Sequence, residues 1–146
     1  MSIIANQETD LEYILEEQVG YLLRLASQRH SIIFQKYALE SITPTQFSTL
    51  IRVAEIGEVS QNHLGRLTAM DVATIKGVVD RLKNKNLITS RPDEIDKRRT
   101  VISLTANGTA LVADLRSTGL EITRETLSPL TPKERVTLVA LLRKIS

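Results

Sequence analysis

The hydrophobic pattern divides the chain into helical stretches that are interrupted by one β-type segment. From about residue 10 to residue 39, apolar residues recur at helical spacing with no intervening proline, which predicts a long first helix. Its main stripe contains Leu11, Leu15, Val19, Leu22, Ala26 and Ile33. The apolar surface is wider than this stripe, since it also includes Ile14, Leu23, Leu25, Ile32 and Phe34. Such breadth indicates contact beyond the helix's own domain, although a central buried helix in a monomer would give the same pattern.

The segment SITPTQFSTLIRVAEIGEVS predicts a second helix. Thr43 is suited to the N-cap, Pro44 to the first helical position, and Gln46 to closing a capping box with Thr43. Gly57 is suited to ending the helix. The predicted buried face consists of Phe47, Leu50, Ile51 and Ala54.

Two further helices follow, separated by a short break. Ser60 is expected to cap a short helix that ends near Thr68, with Leu64 and Leu67 facing inward. Asp71 is expected to cap the next helix. That helix has a predicted buried stripe of Val72, Ile75, Val79 and Leu82, and an opposite face of Ala73, Thr74, Lys76, Gly77 and Arg81. A face of small, hydroxyl-bearing and cationic residues suits a DNA groove, so the pair predicts a helix-turn-helix, although any solvated helical hairpin has similar spacing.

The pattern then changes to a β-hairpin with a polar tip. Residues 87–89 and 101–104 form two β-type runs on either side of SRPDEIDKRR. The basic residues Lys97, Arg98 and Arg99 suit a wing that lies along a minor groove, where negative potential attracts arginine. The neighbouring acidic residues would repel phosphate. We expect one of them, Asp96, to pair with a nearby arginine and to stiffen the tip.

The C-terminal part of the chain predicts two more helices. Thr105 is expected to cap the first, which ends near Ser128 and has Leu111, Leu115 and Ile122 facing inward. Gly119 lies inside it, and a glycine there indicates a bend, a close approach by another group, or a tolerated solvent-facing position. Thr131, Pro132 and Glu134 repeat the capping pattern before a last helix with almost no polar face. A small winged domain cannot cover such a helix, so the first and last helices are predicted to pack in a two-fold dimer.

Composition limits the class of protein. The chain has 146 residues, which suits one domain with its own core, and it has no cysteine, which excludes disulfides, cysteine-bound zinc and thiol redox sensing. The acidic start without a long apolar run leads us to expect a soluble, cytoplasmic protein without membrane contact. Two separated histidines and scattered glycines match no catalytic, metal or phosphate-cradling motif, so neither an enzyme nor a cofactor is expected.

Charge is distributed unevenly along the chain. Residues 1–58 carry four basic and eight acidic side chains, whereas residues 66–99 carry nine basic and five acidic ones. The basic segment coincides with the predicted recognition helix and wing. A basic cluster is often only a solvated face, but this coincidence favours binding of an anionic partner, double-stranded DNA.

Three motifs together resemble the MarR family of bacterial transcriptional regulators over nearly the whole chain. They are ITPTQFSTL, SQNHLGRLTAMDVATIKGVVDRLKNKNLITSR and DKRRTVISLTANG, the last with Asp96, Arg98, Leu104 and Thr105 at the wing positions. The resemblance implies a mainly α fold with a small β-hairpin: a winged helix-turn-helix with N- and C-terminal dimerisation helices. It also implies a homodimer, commonly a repressor, that binds a pseudo-palindromic operator and is released by a small molecule. Residues 42–105 would form the DNA-binding lobe, and residues 10–40 and 106–146 the dimerisation region.

The resemblance also assigns roles to individual residues. It implies that Ala73, Thr74, Lys76 and Gly77 face the major groove and that Arg98 reaches the minor groove. Because two of the four helix residues lack a polar side chain, we expect phosphate contacts and DNA shape to share the recognition.

An effector site is predicted from polar residues on otherwise apolar helices. Family effectors are often phenolic or aromatic carboxylates, and QVGYLLRLASQRHSIIF resembles first helices of regulators that respond to aromatic acids, including nicotinate derivatives. Arg24, His30 and Arg52 are the predicted effector-binding residues, although a lone histidine on an inward stripe is commonly structural. The alternatives are a ligand-independent DNA-binding module and a winged-helix module for protein interaction.

Overall fold

The computed structural model describes residues 12–146, and its helices and strands follow the predicted order. A single 3-10 turn at Leu15–Glu17 precedes the first α-helix. The elements of this part of the chain are α1 (Val19–Tyr37), α2 (Pro44–Ile56), β1 (Glu58–Ser60), α3 (Gln61–Leu67), α4 (Val72–Asn84), β2 (Ile88–Pro92), β3 (Thr100–Leu104), α5 (Ala106–Thr126) and α6 (Pro132–Ile145). The predicted fold class, mainly helical with a small sheet, is confirmed.

Side-chain caps explain where five of these helices begin. The side chains of Thr43, Ser60, Asp71, Thr105 and Thr131 each accept a hydrogen bond from the backbone N–H three residues later. This satisfies one of the N–H groups that a helix leaves unpaired at its first turn. All five predicted caps, and both predicted capping boxes, are therefore confirmed.

The ends of two helices differ from the prediction. The first α-helix begins at Val19 rather than near residue 10, after Gln18, which makes no side-chain cap. The predicted beginning at Asp10 and Leu11 lies outside the described residues. Helix α5 ends at Thr126, just before the predicted stop near Ser128. Apolar periodicity continues through the 3-10 turn, so it could not locate the start of α1.

The sheet has one strand that the sequence pattern missed. Strand β1 pairs antiparallel with β3, opposite β2, so the order is β1-β3-β2. Val59 pairs with Ile102 at its centre and is buried. With only one apolar residue between two polar ones, this short strand shows no recognisable alternation in the sequence. It forms because it pairs with the distant strand β3. It fixes the base of the hairpin to the segment between α2 and α3.

The main core lies inside the winged helix-turn-helix. Its fully buried large side chains come from the three helices of this lobe, from the segment before β2, from β3 and from α5: Leu50, Leu64, Ile75, Leu82, Leu87, Ile102 and Leu115. The prediction for Val72 was wrong, because this residue is 69% exposed, whereas Val78 is buried. Val72 occupies the first position of α4, where the helix projects past the edge of the core. Helical spacing alone does not show where a core ends.

A second, smaller core joins this lobe to the long helices. Ile33 and Phe34 of α1 pack with Ile122 of α5 and with the half-buried ring of Phe47 from α2. Phe47 also packs against the main core, so it contacts both. Helix α6 contributes no buried residue to either core. None of the described helices is long and apolar enough to span a membrane.

Candidate nucleic-acid interface and effector cavity

Helix α4 presents the predicted recognition face to solvent. Ala73, Thr74 and Lys76 are exposed, whereas Gly77 is half-buried beside the exposed side chain of Arg81. Lys76 Nζ lies 3.0 Å from Asp80 Oδ2 in a pair that is exposed on both sides. Exposed pairs of this kind contribute little stability. Lys76 can therefore exchange its carboxylate partner for a DNA phosphate at small cost.

The wing tip is a compact turn organised by one carboxylate. Asp96 accepts hydrogen bonds from the backbone N–H and from Nε of Arg98, both at 3.1 Å. These bonds from Arg98 lower the pKa of the Asp96 carboxyl, with a smaller contribution from Arg99. The turn closes where the N–H of Asp93 donates to the carbonyl of Arg99. The pairing expected for Asp96 is thus present, and it leaves the Arg98 side chain 92% exposed.

The base of the wing is held by an ion pair that depends on β1. Arg91 Nη2 of β2 lies 2.8 Å from Glu58 Oε2 of β1, across the central strand. Both side chains are exposed, so the pair orients the strands more than it stabilises the fold. Sequence reasoning missed this contact because it missed β1.

A basic cleft lies between α3 and the wing. Arg66 and His63 of α3 line it together with Arg98 and Arg99, and its volume is about 320 Å³. Sequence reasoning assigned roles to Arg98 and Arg99 but not to the two α3 residues. The available signal was that Arg66 opens the basic segment of residues 66–99.

A small cavity lies where the long helices meet the winged lobe. It has a volume of about 210 Å³ and is lined from three helices by His30, Phe34, Pro44, Phe47, Gly119, Ile122 and Thr123. The rings of Phe34 and Phe47 meet edge to face, with centroids 5.8 Å apart. A Cβ at Gly119 would lie 2.9 Å from Phe47 Cζ. Of the three possibilities that the sequence left open for Gly119, the structure shows a close approach, and the approaching group is the Phe47 ring.

His30 occupies the border between this cavity and a larger one. Its Nδ1 lies 2.9 Å from Thr126 Oγ1, which fixes the ring against α5. The larger cavity, about 540 Å³, is almost entirely apolar and is an open depression between α1, α5 and α6. Its apolar lining includes Val19, Leu22, Leu23, Leu138, Val139 and Leu142. His30 is therefore both a hydrogen-bonded structural residue and a polar group at a cavity.

The other two predicted effector residues lie elsewhere. The Arg24 guanidinium stacks on the Tyr21 ring, 5.6 Å from its centroid. Arg52 Nη1 pairs with Glu55 Oε2 at 2.9 Å on the exposed side of α2. Neither arginine lines the cavities that His30 borders. The structure of this single chain does not bring the three predicted residues together.

The recognition helix is connected to the helix that carries Phe47. Lys85, which follows α4, donates to the side-chain oxygen of Gln46 at 2.8 Å and to the carbonyl of Ser41 at 3.0 Å. Gln46 is buried and closes the capping box of α2. These two hydrogen bonds join the first turn of α2, and the segment before it, to the residue that follows α4.

Comparison with known proteins decides the family. The model described as "MarR family" matches residues 42–100, which extend from the start of α2 to the wing. The HTH-type transcriptional repressor NicR of Pseudomonas putida is 41% identical over 134 residues, covering 91% of this chain and 85% of NicR. The chain belongs to the MarR family. MarR-family proteins are transcriptional regulators, so this one is a regulator and not an enzyme.

Solved structures extend the family match to the whole fold. A probable transcriptional regulator from Pseudomonas aeruginosa is 43% identical with a TM-score of 0.88, over 91% of this chain and all of that chain. BpsR of Bordetella bronchiseptica, studied for regulation of its DNA binding by 6-hydroxynicotinic acid, is 40% identical with a TM-score of 0.87. That match covers 92% of this chain and 97% of BpsR. The winged helix and the long helices of this MarR-family chain therefore have the arrangement of known relatives.

Proposed function

We propose that this MarR-family regulator is a homodimeric repressor that binds a pseudo-palindromic operator and is released by a small aromatic carboxylate. Residues 42–105 act as the DNA-binding lobe, and residues 10–40 and 106–146 form the dimerisation region. The main support for the proposal is the position of the cavity lined by Phe47. This cavity lies where the DNA-binding lobe meets the dimerisation region.

DNA contact is assigned to α4 and the wing. Thr74 and Lys76 make most of the direct base contacts in the major groove, while Ala73 and Gly77 permit close approach. Arg81, Lys97 and Arg99 contact phosphates, and Arg98 enters the minor groove. The exposure of these groups supports the assignment, as does the stiffening of the wing by Asp96.

Dimerisation is supported by apolar surface that the single chain leaves uncovered. Val136 and Leu141 of α6 are 73% and 54% exposed, and Val19 of α1 is 65% exposed. Soluble proteins rarely leave contiguous apolar surface of this kind in water. A two-fold dimer through α1 and α6 buries it and places two recognition helices about one DNA turn apart, roughly 34 Å.

The effector proposal follows from the size and lining of the small cavity. An apolar cavity of ~150 Å³ can hold a benzene ring, so about 210 Å³ suits a single aromatic ring with small substituents. Aromatic rings line this cavity, and His30 and Thr123 provide polar groups at it. Regulation of the related BpsR by 6-hydroxynicotinic acid supports this chemical class. Arg24 and Arg52 stay predictions as carboxylate partners.

Release from DNA requires the effector to favour one arrangement of the lobes over another. Phe47 contacts both cores and lines the cavity, so a bound ring shifts α2 relative to α1 and α5. The Gln46–Lys85 hydrogen bond passes this shift to α4. The spacing of the two recognition helices then no longer matches the operator.

The effector proposal is tested by a thermal-shift screen of nicotinate, 6-hydroxynicotinate and benzoate. A ligand that binds the folded state alone raises the melting temperature, by an amount that grows with its concentration relative to Kd. We expect at least one acid to stabilise the native protein and His30→Leu to lose that ligand-induced shift. His63→Leu is the matched control, because this other histidine is exposed on α3 and should leave the shift intact.

The alternative account is a DNA-binding regulator without a ligand. It becomes the better description if no acid in the screen stabilises the native protein while DNA binding remains tight. A ligand-induced shift that persists in His30→Leu would place the site away from the cavity.

A further inference from the structure

Arg66 lies between the two elements that are assigned to DNA grooves. On one side it lines the basic cleft with Arg98 and Arg99 of the wing. On the other side it lines a second depression together with the start of α4, including Asp71 and Val72. The guanidinium therefore belongs to the surface that connects the recognition helix to the wing.

Arg66 has no acidic partner among the described residues. Its one side-chain hydrogen bond in this part of the chain joins Nη2 to Nδ1 of His63, at 3.5 Å, and its side chain is exposed. Two other exposed arginines of this lobe are paired: Arg52 with Glu55, and Arg91 with Glu58. Arg98 and Arg99 share the single carboxylate of Asp96. Together with Arg66 they therefore keep a net positive charge, which favours binding of an anion.

The geometry of DNA identifies that anion. A helix in the major groove and a wing in the adjacent minor groove are separated by one sugar–phosphate strand. That strand must pass over the protein surface between α4 and the wing, which is the surface bordered by Arg66. Arginine suits phosphate because its planar donors can bind two oxygens together.

We propose that the cleft formed by Arg66, His63 and Arg99 binds the backbone phosphates of the strand between the two grooves. This inference rests on the proposed operator binding and adds a contact that carries no sequence information. Arg66 thereby positions α4 and the wing on the duplex, while other residues read the bases. The site is complete in each protomer, so a dimer uses it twice.

The test compares Arg66→Gln with Arg116→Gln in fluorescence anisotropy titrations at several salt concentrations. Arg116 is exposed on α5, outside the cleft, and its replacement removes the same charge. We expect Arg66→Gln to weaken binding about tenfold or more, by the same factor on operator and on random duplex. The slope of log K against log salt should fall by about 0.9 for each lost phosphate contact, hence by about 1.8 for a dimer. Arg66→Lys should recover part of the affinity.

Three outcomes would overturn this assignment while native operator binding stayed intact. One is a salt slope unchanged from that of Arg116→Gln. Another is a loss confined to the operator, which would make Arg66 a base-reading residue. The third concerns small anions: if Arg66→Gln abolished thermal stabilisation by inorganic phosphate or nicotinate and left DNA affinity unchanged, the cleft would be a small-anion site. A native protein that bound no DNA at all would instead contradict the proposed function itself.

Discussion

At the residue scale, Arg98 and Asp96 act as one unit at the wing tip. The carboxylate accepts from both the backbone and the side chain of Arg98, which limits the orientations that the exposed guanidinium can adopt. A side chain that is already oriented loses less conformational entropy when it enters a narrow groove. Asp96 thus supports the arginine, and the charge of its carboxylate is largely compensated.

Arg98→Ala is expected to weaken operator binding by roughly 1 to 3 kcal/mol. The substitution removes the minor-groove contact and also leaves Asp96 without its partner, close to the phosphates. Operator affinity measured by mobility shift checks this, with Arg116→Ala as a control of equal charge that should change affinity little. If the two variants bound operator equally well, the wing contact would be disproved.

Side-chain roles were predictable where local sequence determines them. The caps at Thr43 and Asp71 and the Asp96–Arg98 pair depend on residues two or three positions apart, so the sequence alone reveals them. The contact between His30 and Thr126 and the cleft of Arg66 join distant segments. No local pattern records such contacts, because tertiary packing creates them.

At the element scale, the orientation of α4 depends on how its two ends are fixed. Asp71 caps the first turn by accepting from the backbone N–H of Thr74 at 2.7 Å. Lys85 ties the other end to the capping box of α2. The exposure of Val72 fits this arrangement, since the first turn of α4 projects from the core into solvent. The same periodicity that predicted the helix misassigned this end, because it carries no information about distance from the core.

The cap at Asp71 makes the stability of α4 depend on pH. The hydrogen bond from Thr74 lowers the pKa of the Asp71 carboxyl. A carboxyl whose folded-state pKa is depressed stabilises the fold fully above its unfolded pKa, about 4, and this contribution is lost as the pH falls through the lower folded-state value.

Asp71→Ala should therefore lower the melting temperature at neutral pH, and its difference from the native protein should shrink at acidic pH. Asp71→Asn is the matched variant, because asparagine caps equally well without a charge. It should stay close to the native melting temperature at pH 7. Thermal unfolding from pH 7 to pH 2 measures both variants, and a constant difference for Asp71→Ala across this range would refute the role of the ionised cap.

At the scale of the whole molecule, the exposed apolar side chains of α6 support the proposed dimer. Helix α6 buries no residue of its own, although residues 136–142 are apolar except for Thr137. The sequence predicted that this helix must be covered, and the structure shows that this single chain does not cover it. Hydrophobic periodicity detects such a requirement but cannot identify the surface that meets it.

Replacing both Val136 and Leu141 with glutamate should convert a dimer into a monomer, because buried unpaired carboxylates oppose association. Sedimentation equilibrium measures the mass directly. Ile95→Glu is the control, since this residue is 97% exposed at the wing and lies outside the proposed interface. A native protein that sediments as a monomer at micromolar concentration would contradict the dimer.

In the proposed function, an aromatic acid in the cavity controls binding of the protein to its operator. The most direct measurement selects duplexes from a random pool with the purified protein and then titrates the best site with and without 6-hydroxynicotinate. We expect a two-fold symmetric site whose half-sites lie about one helical turn apart. Its affinity should fall steeply with salt, and the acid should weaken native binding without affecting His30→Leu. The account would be contradicted if the selection gave no symmetric sequence. It would also be contradicted if the acid released His30→Leu from DNA as readily as it releases the native protein.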